Sequence, residues 1–301
     1  MSSTCEATVF YDDAGEASAR IYALAAPTID GRLLTVDELA ACRLECRVEG
    51  PKCRYSTTLP TRVKLAHRGV TNWGELPALV AETYLPDPCH WSPELPFLYR
   101  VIGEVRLGER VIAEIDQTFG IRPISVVRNR IVLNGKTWVP RGVGCVIRDI
   151  PMDVWRETAT TILDGQDEAK LQEASEVGVT SVAFIHGAGE ELAKAARRMS
   201  CFPSVVMIHA ETRINPSLVA SARNTLLLSD CKKKSADDLA QVNYVYICPP
   251  SAAWTWPQDN AKPVIAFRPA MIPASPYEAR AACDTLQADM AGKCDPAGYF
   301  V

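Results

Sequence analysis

The chain has 301 residues, 48% of them hydrophobic and 23% charged, a balance that excludes disordered and fibrous classes and suits two globular domains. Thirty-six acidic against 32 basic residues give a net charge of −4, without the basic surface that nucleic acid binding requires. The N-terminal segment lacks the basic patch and apolar run of a signal peptide, and no apolar run reaches the roughly 18 residues of a membrane helix. We therefore expect a cytoplasmic protein that binds neither nucleic acid nor membrane.

Residues 1–125 contain short runs in which apolar and polar residues alternate, separated by turn-rich segments and without a long amphipathic helix. The runs are ATVFY, RLECRV, LVAETYL, YRVIGEVRL and VIAEIDQTF. The last two flank a hairpin in which Gly108 supplies the positive φ of the turn. One helical turn is expected at the start of TVDELAACRLE. This pattern predicts an immunoglobulin-like β-sandwich.

Three cysteines, Cys42, Cys46 and Cys53, lie close together in the sequence, and Cys89 with His90 would complete a four-ligand zinc site. The spacing does not match the C-x2-C or C-x4-C pairs of structural zinc sites. In CRLECRV the cysteines alternate with charged residues, which predicts that they lie on the buried face of a strand. We expect no metal and no other cofactor. An odd total of eleven cysteines is typical of a reducing compartment.

After Arg122 the pattern changes. Asn134 and Gly135 join two strand-like runs through a turn that favours type I′. From Asp167 onward, helical patterns alternate with apolar strands, which predicts a parallel sheet covered by helices. The strands are VTSVAFIHG, PSVVMIHA, TLLLSD, VNYVYICPP, KPVIAFRPA and AGYFV, and the best helix start is Ser275 followed by Pro276. With about seven convincing strands, one β/α unit of an eight-stranded barrel is expected to be absent or reduced to a loop.

Three segments near the predicted boundary carry a family resemblance. WSPELPFLYRV at 91–101, FGIR at 119–122 and IVLNGKTWVPRGV at 131–143 resemble, in order and spacing, the junction between the immunoglobulin-like domain and the (β/α)₈ barrel of glycoside hydrolase family 2. The resemblance implies a multidomain β plus α/β protein. Its domains are an immunoglobulin-like β-sandwich over residues 1–125 and a shortened, degenerate TIM barrel over residues 126–301.

The segment that enters the first of these motifs is rich in proline. Proline fixes φ and lacks an N–H, so it favours an extended crossing segment that cannot pair as an additional strand. The prolines are Pro86, Pro88, Pro93 and Pro96. We predict that Trp91, Leu98 and Tyr99 anchor this segment as buried side chains.

The resemblance also locates the positions where a family 2 enzyme carries its catalytic carboxylates. Retaining glycosidases need two carboxylates about 5 Å apart. FPSVVMIHAET at 202–212 looks like the strand-four stretch that precedes the acid/base Asn-Glu pair, and KPVIAFR at 262–268 looks like the nucleophile strand. The nucleophile position carries Arg268, whose guanidinium can neither attack an anomeric carbon nor release a proton near neutral pH. The Asn-Glu pair is absent. Glu211 is the candidate catalytic carboxylate if a short deletion is assumed, whereas Thr212 or Arg213 falls at the acid/base position otherwise.

Other polar and aromatic residues near strand ends complete the candidate site. His186 and His209 end strands, and Trp254 and Trp256 follow the strand VNYVYICPP in a loop where indoles stack on sugar rings. Arg268 is expected to lie near Glu211 as an ion pair or a binding group. Each has a structural alternative, since strand-end histidines are ordinary, a carboxylate there caps helices, and paired indoles plug shortened barrels.

Three functions stay open at this stage. The first is a family 2-related pseudoenzyme that binds carbohydrate or acts as a scaffold, and the absence of a nucleophile favours it. The second is an active glycosidase with a rearranged acid set of Glu211, Asp230 and Asp259. The third is a structural module that binds a protein partner or a second copy of the chain.

Overall fold

The computed structural model describes residues 3–74, 76–144, 150–163, 167–210, 214, 216–230, 244–254, 262–269 and 273–301. The chain divides into two compact units. The first, called the sandwich below, comprises Met1–Trp91 and Leu95–Ile121, and the second, called the barrel unit, comprises Ser92–Glu94 and Arg122–Val301. No helix in the described part of the chain is long and apolar enough to cross a bilayer.

The sandwich is antiparallel, as predicted, with eight described strands in the order β1-β2-β6-β5-β4-β7-β8 and β3 paired to β2. Its elements are β1 (Ser3–Asp12), β2 (Ser18–Ile29), β3 (Arg32–Leu33), α1 (Val36–Ala40), β4 (Cys42–Lys52), β5 (Thr61–Trp73), β6 (Leu76–Pro86), β7 (Leu98–Leu107) and β8 (Arg110–Phe119). The predicted helical turn is α1, which begins at a capping box between Thr35 and Glu38. Sequence analysis did not predict β2, β3 and β5.

Strand β5 connects the two layers of the sandwich. Its first half pairs with β4 and its second half with β6, and the register shifts between His67 and Gly69. Gly69 adopts φ of +96°, a conformation that L side chains rarely adopt, so the bulge occurs where glycine permits it. The inner faces of the strands enclose one apolar core that includes Ile21, Leu44 and Val101.

Two of the three clustered cysteines belong to this core. Cys42 and Cys46 lie on β4 with buried side chains, as the alternating pattern predicted, and Cys53 follows the strand half-buried. Burial raises the pKa of the Cys46 thiol to about 12, so this sulfur stays protonated at neutral pH and is a poor metal ligand. The described residues contain no group of three or more His, Cys, Asp or Glu side chains arranged to hold a metal ion.

The proline-rich segment crosses between β6 and β7 without joining the sheet as a strand. It forms one isolated bridge, between His90 and Ile121, and the Trp91 N–H donates to the Ile121 carbonyl at 2.7 Å. Trp91 is fully buried and Tyr99 is 2% exposed, as predicted, whereas Leu98 is half-buried. The Tyr99 hydroxyl accepts a hydrogen bond from the Cys89 N–H at 2.8 Å, which fixes the segment from its other side.

Beyond the last residue pair of β4 and β5, a histidine side chain accepts a hydrogen bond from a backbone N–H of β4. The Leu44 N–H donates to Nδ1 of His67 at 3.3 Å, so this nitrogen must be unprotonated to accept the bond. Burial, and secondarily the nearby charge of Arg43, lower the pKa of His67 below its usual value near 6.5. The folded state therefore binds a proton at this site less readily than the unfolded chain does.

This arrangement predicts a pH-dependent contribution to stability. A His with a depressed folded-state pKa stabilises the fold fully above its unfolded pKa, near 6.5, and loses that contribution as pH falls through the folded value. We expect urea unfolding at pH 7.5 and 5.5 to show a larger loss of stability for the natural chain than for His67→Gln. His90→Gln serves as the control, and an equal loss in the natural chain and His67→Gln would contradict the assignment.

The barrel unit begins with a three-stranded sheet and continues as a closed parallel barrel of eight strands. Its strands are β9 (Ile124–Val127), β10 (Arg130–Leu133), β11 (Lys136–Trp138), β12 (Arg141–Val143), β13 (Thr161–Leu163), β14 (Ser181–Ile185), β15 (Val205–Ala210), β16 (Leu226–Asp230), β17 (Tyr244–Cys248), β18 (Val264–Phe267) and β19 (Gly298–Phe300). Its described helices are α2 (Met152–Glu157), α3 (Glu168–Val177), α4 (Gly189–Ser200), α5 (Pro216–Ser221), α6 (Pro250–Trp254) and α7 (Pro276–Met290).

The expectation that one strand is absent is wrong. The barrel closes from β12 to β19, and the strand that sequence analysis missed is β13, which has three residues in the threonine-rich stretch TATTIL. Three residues are too few for a visible period, and its pairing with β12 and β14 rather than its composition defines it as a strand. The fold is a shortened TIM-type barrel.

Local signals around the barrel agree with the sequence patterns. Asn134 and Gly135 both have positive φ, as the predicted type I′ turn requires. Helix α3 begins at an Asp167 cap and ends at Gly178 in the left-handed conformation. Helix α7 begins at Ser275, whose hydroxyl accepts from the Glu278 N–H at 3.2 Å. These caps fix where the covering helices begin and end.

Candidate functional site

The two faces of the barrel strands separate into two apolar clusters. Residues such as Ala183, Ile208 and Ala266 pack outward with the helices. Their neighbours in sequence point to the barrel axis and fill the lumen, together with Ile131 of β10; they include Val182, Met207, Leu228, Val245, Ile265 and Phe300. The lumen is therefore a packed core, and a ligand site must form above it, at the carboxyl ends of the strands.

At that end, His209 and Phe184 form a ring pair. They are register partners on β15 and β14, and both are half-buried. Their ring centroids lie 4.8 Å apart with the planes inclined at 42°. Sequence analysis selected His209 but not Phe184. The signal that would have found it is alternation, since Phe184 shares the lumen face with Val182.

Asp230 is the described carboxylate nearest to this pair in the strand order. It is the last residue of β16, next to β15 in the barrel, and it is half-buried. Leu228, two residues earlier, belongs to the lumen cluster and is the register partner of His209. Strand alternation therefore places Asp230 on the axial face, above Leu228. The carboxyl end of the barrel, called the mouth below, therefore carries one ring pair and one acidic group on three consecutive strands. These are Phe184 on β14, His209 on β15 and Asp230 on β16.

The structure describes only some of the other predicted site residues. His186 follows β14 and is exposed, and Trp254 is the last residue of α6. Glu211 and Trp256 lie outside the described residues, as does Asp259 of the alternative acid set. Their proposed roles stay predictions.

Arg268 directly follows β18, and its guanidinium is engaged on the helix-covered side of the sheet. Its Nη1 donates to Oδ2 of Asp289 on α7 at 2.9 Å. Its backbone N–H donates to the Phe300 carbonyl at 2.9 Å, which continues the pairing of β18 with β19. The carboxylate that Arg268 contacts among the described residues is thus Asp289, whereas the predicted partner, Glu211, lies outside them.

Residues 42–122 match the sequence profile described as Glycosyl hydrolases family 2. Over these residues the chain is similar to glycoside hydrolase family 2. The matched residues run from β4 to the end of the FGIR motif, and the parallel barrel follows them in the order that the family resemblance implied. Counted from β12, the strand that precedes Glu211 is the fourth of the barrel and the strand that precedes Arg268 is the seventh.

A curated relative is the "Beta-galactosidase" of Oenococcus oeni (strain ATCC BAA-331 / PSU-1), which is 33% identical over 81 residues. That alignment covers 26% of this chain and 8% of the relative, so the family 2-like chain matches a small part of the longer protein.

Solved structures extend the likeness to both units. A family 2 member from Bacteroides cellulosilyticus matches with a TM-score of 0.61 and 16% identity, covering 98% of this chain and 43% of that one. A β-glucuronidase from Bacteroides uniformis matches with a TM-score of 0.57 and 13% identity, over 98% of this chain and 45% of that one. At this identity the similarity shows a shared fold, and the chain spans less than half the length of these two structures.

Proposed function

We propose that this family 2-like protein binds carbohydrate at the carboxyl end of its barrel and does not hydrolyse glycosides. The observation that carries the proposal is Arg268. It occupies the position after the seventh strand where the family resemblance implies a nucleophile, and its guanidinium is paired with Asp289. Arginine stays protonated and offers no electron pair for attack on an anomeric carbon, so the retaining mechanism lacks its nucleophile at this position.

The described side chains at the mouth are suited to binding a sugar. Phe184 and His209 present a ring pair, and an aromatic face packs against the apolar face of a sugar ring. On the next strand, the Asp230 carboxylate can accept hydrogen bonds from the hydroxyl groups of a sugar. A few polar groups above an apolar floor are the usual composition of a small-molecule site. The candidate ligands follow from the relatives, which are named as β-galactosidase and β-glucuronidase.

The first test is turnover. Chromogenic aryl β-galactosides and β-glucuronides should give no release above the uncatalysed rate with the full chain at pH 5 to 8. Hydrolysis that is lost in Asp230→Asn would overturn the proposal and support the rearranged acid set of Glu211, Asp230 and Asp259. Arg268→Glu should not create activity by itself, because retaining chemistry needs a second carboxylate at the right separation.

The second test is binding. Galactose or glucuronate should raise the melting temperature of the natural chain, and the shift should be lost in His209→Ala. His90→Ala in the sandwich is the matched control and should keep the full shift. Absence of a shift with either sugar, together with absence of turnover, would contradict carbohydrate binding and support a structural or protein-interaction role.

A further inference from the structure

The axial side chains at the mouth form a layer that is mainly apolar. Phe184 of β14, Asp230 of β16 and Phe267 of β18 each lie two residues beyond a buried residue of the lumen cluster. Strand alternation therefore turns all three towards the barrel axis. The strand register, with the tilt of an eight-stranded barrel, places them in one layer, because such layers are built from alternate strands.

Phe184 and Phe267 face each other across the axis. Counted from β12, their strands are the third and the seventh of the eight, and these lie half a turn apart in a closed barrel. Both rings are half-buried and pack on the lumen cluster, so each keeps part of its surface accessible. His209 supports the Phe184 ring through the contact at 4.8 Å. The two phenyl groups thus form opposite walls of a site at the floor of the mouth, called the aromatic slot below.

The fourth position of this layer is a glycine. Gly144 directly follows β12, the first strand, and lies half a turn from Asp230 on the fifth. A Cβ built on Gly144 would lie 3.4 Å from Cε2 of Phe267, so the phenyl ring reaches past β19 to the end of β12. Gly144 contributes no side chain of its own. The first strand therefore leaves the space opposite Asp230 unfilled within this layer.

The axial residue at the end of β18 is Phe267, because Arg268 points to the other side, where it contacts Asp289 of α7. Ile247, at the end of β17, is a further half-buried residue that packs on the lumen cluster. Phenyl and alkyl side chains bind a ligand by removing apolar surface from water and by ring contacts. They leave the hydroxyl groups of a sugar without hydrogen-bond partners, which is costly. This floor therefore favours a flat apolar group over a sugar ring.

We propose that the mouth binds aryl glycosides, with the aromatic ring held in the aromatic slot between Phe184 and Phe267 and the sugar on the side of Asp230. The inference rests on the carbohydrate binding proposed above and names the part of the ligand that lies deepest. Two ring contacts and the buried apolar surface should make an aryl glycoside bind at least tenfold more tightly than an alkyl glycoside of the same sugar.

Calorimetric titration of the full chain tests this by comparing 4-nitrophenyl β-galactoside with methyl β-galactoside, and the corresponding pair of β-glucuronides. We expect the nitrophenyl compound to bind at least tenfold more tightly for the sugar that the protein accepts. Phe267→Leu keeps an apolar side chain on the lumen cluster and removes one phenyl wall, so it should abolish most of this preference. Phe184→Leu is the second variant, for the case in which Phe267→Leu does not fold.

Tyr84→Leu is the matched control, because it removes an aromatic ring of the sandwich that is 61% exposed, and it should keep the full preference. Equal binding within both glycoside pairs would overturn the aromatic slot and leave carbohydrate binding intact. Binding of 4-nitrophenol that is lost in Phe267→Leu, without binding of either methyl glycoside or free sugar, would refute carbohydrate binding and retain the slot. A preference that persists in both leucine variants, or absence of binding by every compound, would overturn the proposal.

Discussion

Trp91→Ala is expected to lower the free energy of unfolding by about 3–5 kcal/mol, the range measured for truncation of a buried tryptophan. The indole is fully buried, and its own backbone N–H is bound to Ile121 at 2.7 Å. The variant therefore loses buried apolar surface and leaves a cavity beside a segment that the sheet holds by one isolated bridge. Differential scanning calorimetry should show the melting transition shifted down by more than about 10 °C.

The matched control is Leu59→Ala, which truncates a large apolar side chain that is 89% exposed. A surface truncation of this kind changes stability by about 0.5 kcal/mol or less. If Trp91→Ala melts as the control does, Trp91 is not an anchor of the proline-rich segment. The prolines alone would then hold that segment extended.

A strand of the sandwich could be predicted from the sequence when one of its two faces is polar along the whole strand. Strand β4 alternates buried and less buried residues from Cys42 to Gly50, and β7 and β8 pair with it or with each other, so each shows a two-residue period. Strand β5 was missed because it changes partners midway, and most of its residues are neither fully buried nor regularly alternating. Its identity depends on which strands flank it, which a local pattern does not contain.

The candidate site shows the same division between local and long-range information. That His209 ends a strand was readable from PSVVMIHA, but its contact with Phe184 depends on the parallel register of β14 and β15. The ion pair of Arg268 with Asp289 joins residues 21 positions apart on a strand end and a helix. Sequence analysis expected Glu211 near Arg268 by analogy with the family, and that expectation stays a prediction because Glu211 lies outside the described residues. The helix-covered side of β18 offers a carboxylate that the analogy did not contain.

The arginine of the FGIR motif gives a second large effect. Arg122 is 2% exposed, and it donates from Nη1 to the Pro203 carbonyl and from Nη2 to the Asn224 carbonyl, the latter at 2.7 Å. These carbonyls lie just before β15 and β16, the fourth and fifth strands of the barrel. One guanidinium therefore holds the starts of two strands whose opposite ends carry His209 and Asp230.

Arg122→Met should destabilise the barrel unit by about 3 kcal/mol, because it keeps a long side chain but leaves the buried Pro203 carbonyl and the half-buried Asn224 carbonyl without their charged donor. Calorimetry gives the size of the loss, and amide hydrogen exchange should rise first at the amino ends of β15 and β16. Arg198→Met is the control, because its exposed ion pair with Glu168 contributes about 1 kcal/mol or less. Equal melting temperatures for the two variants would show that Arg122 is not the link between these strands. Faster exchange spread evenly over the barrel would locate its contribution elsewhere in the unit.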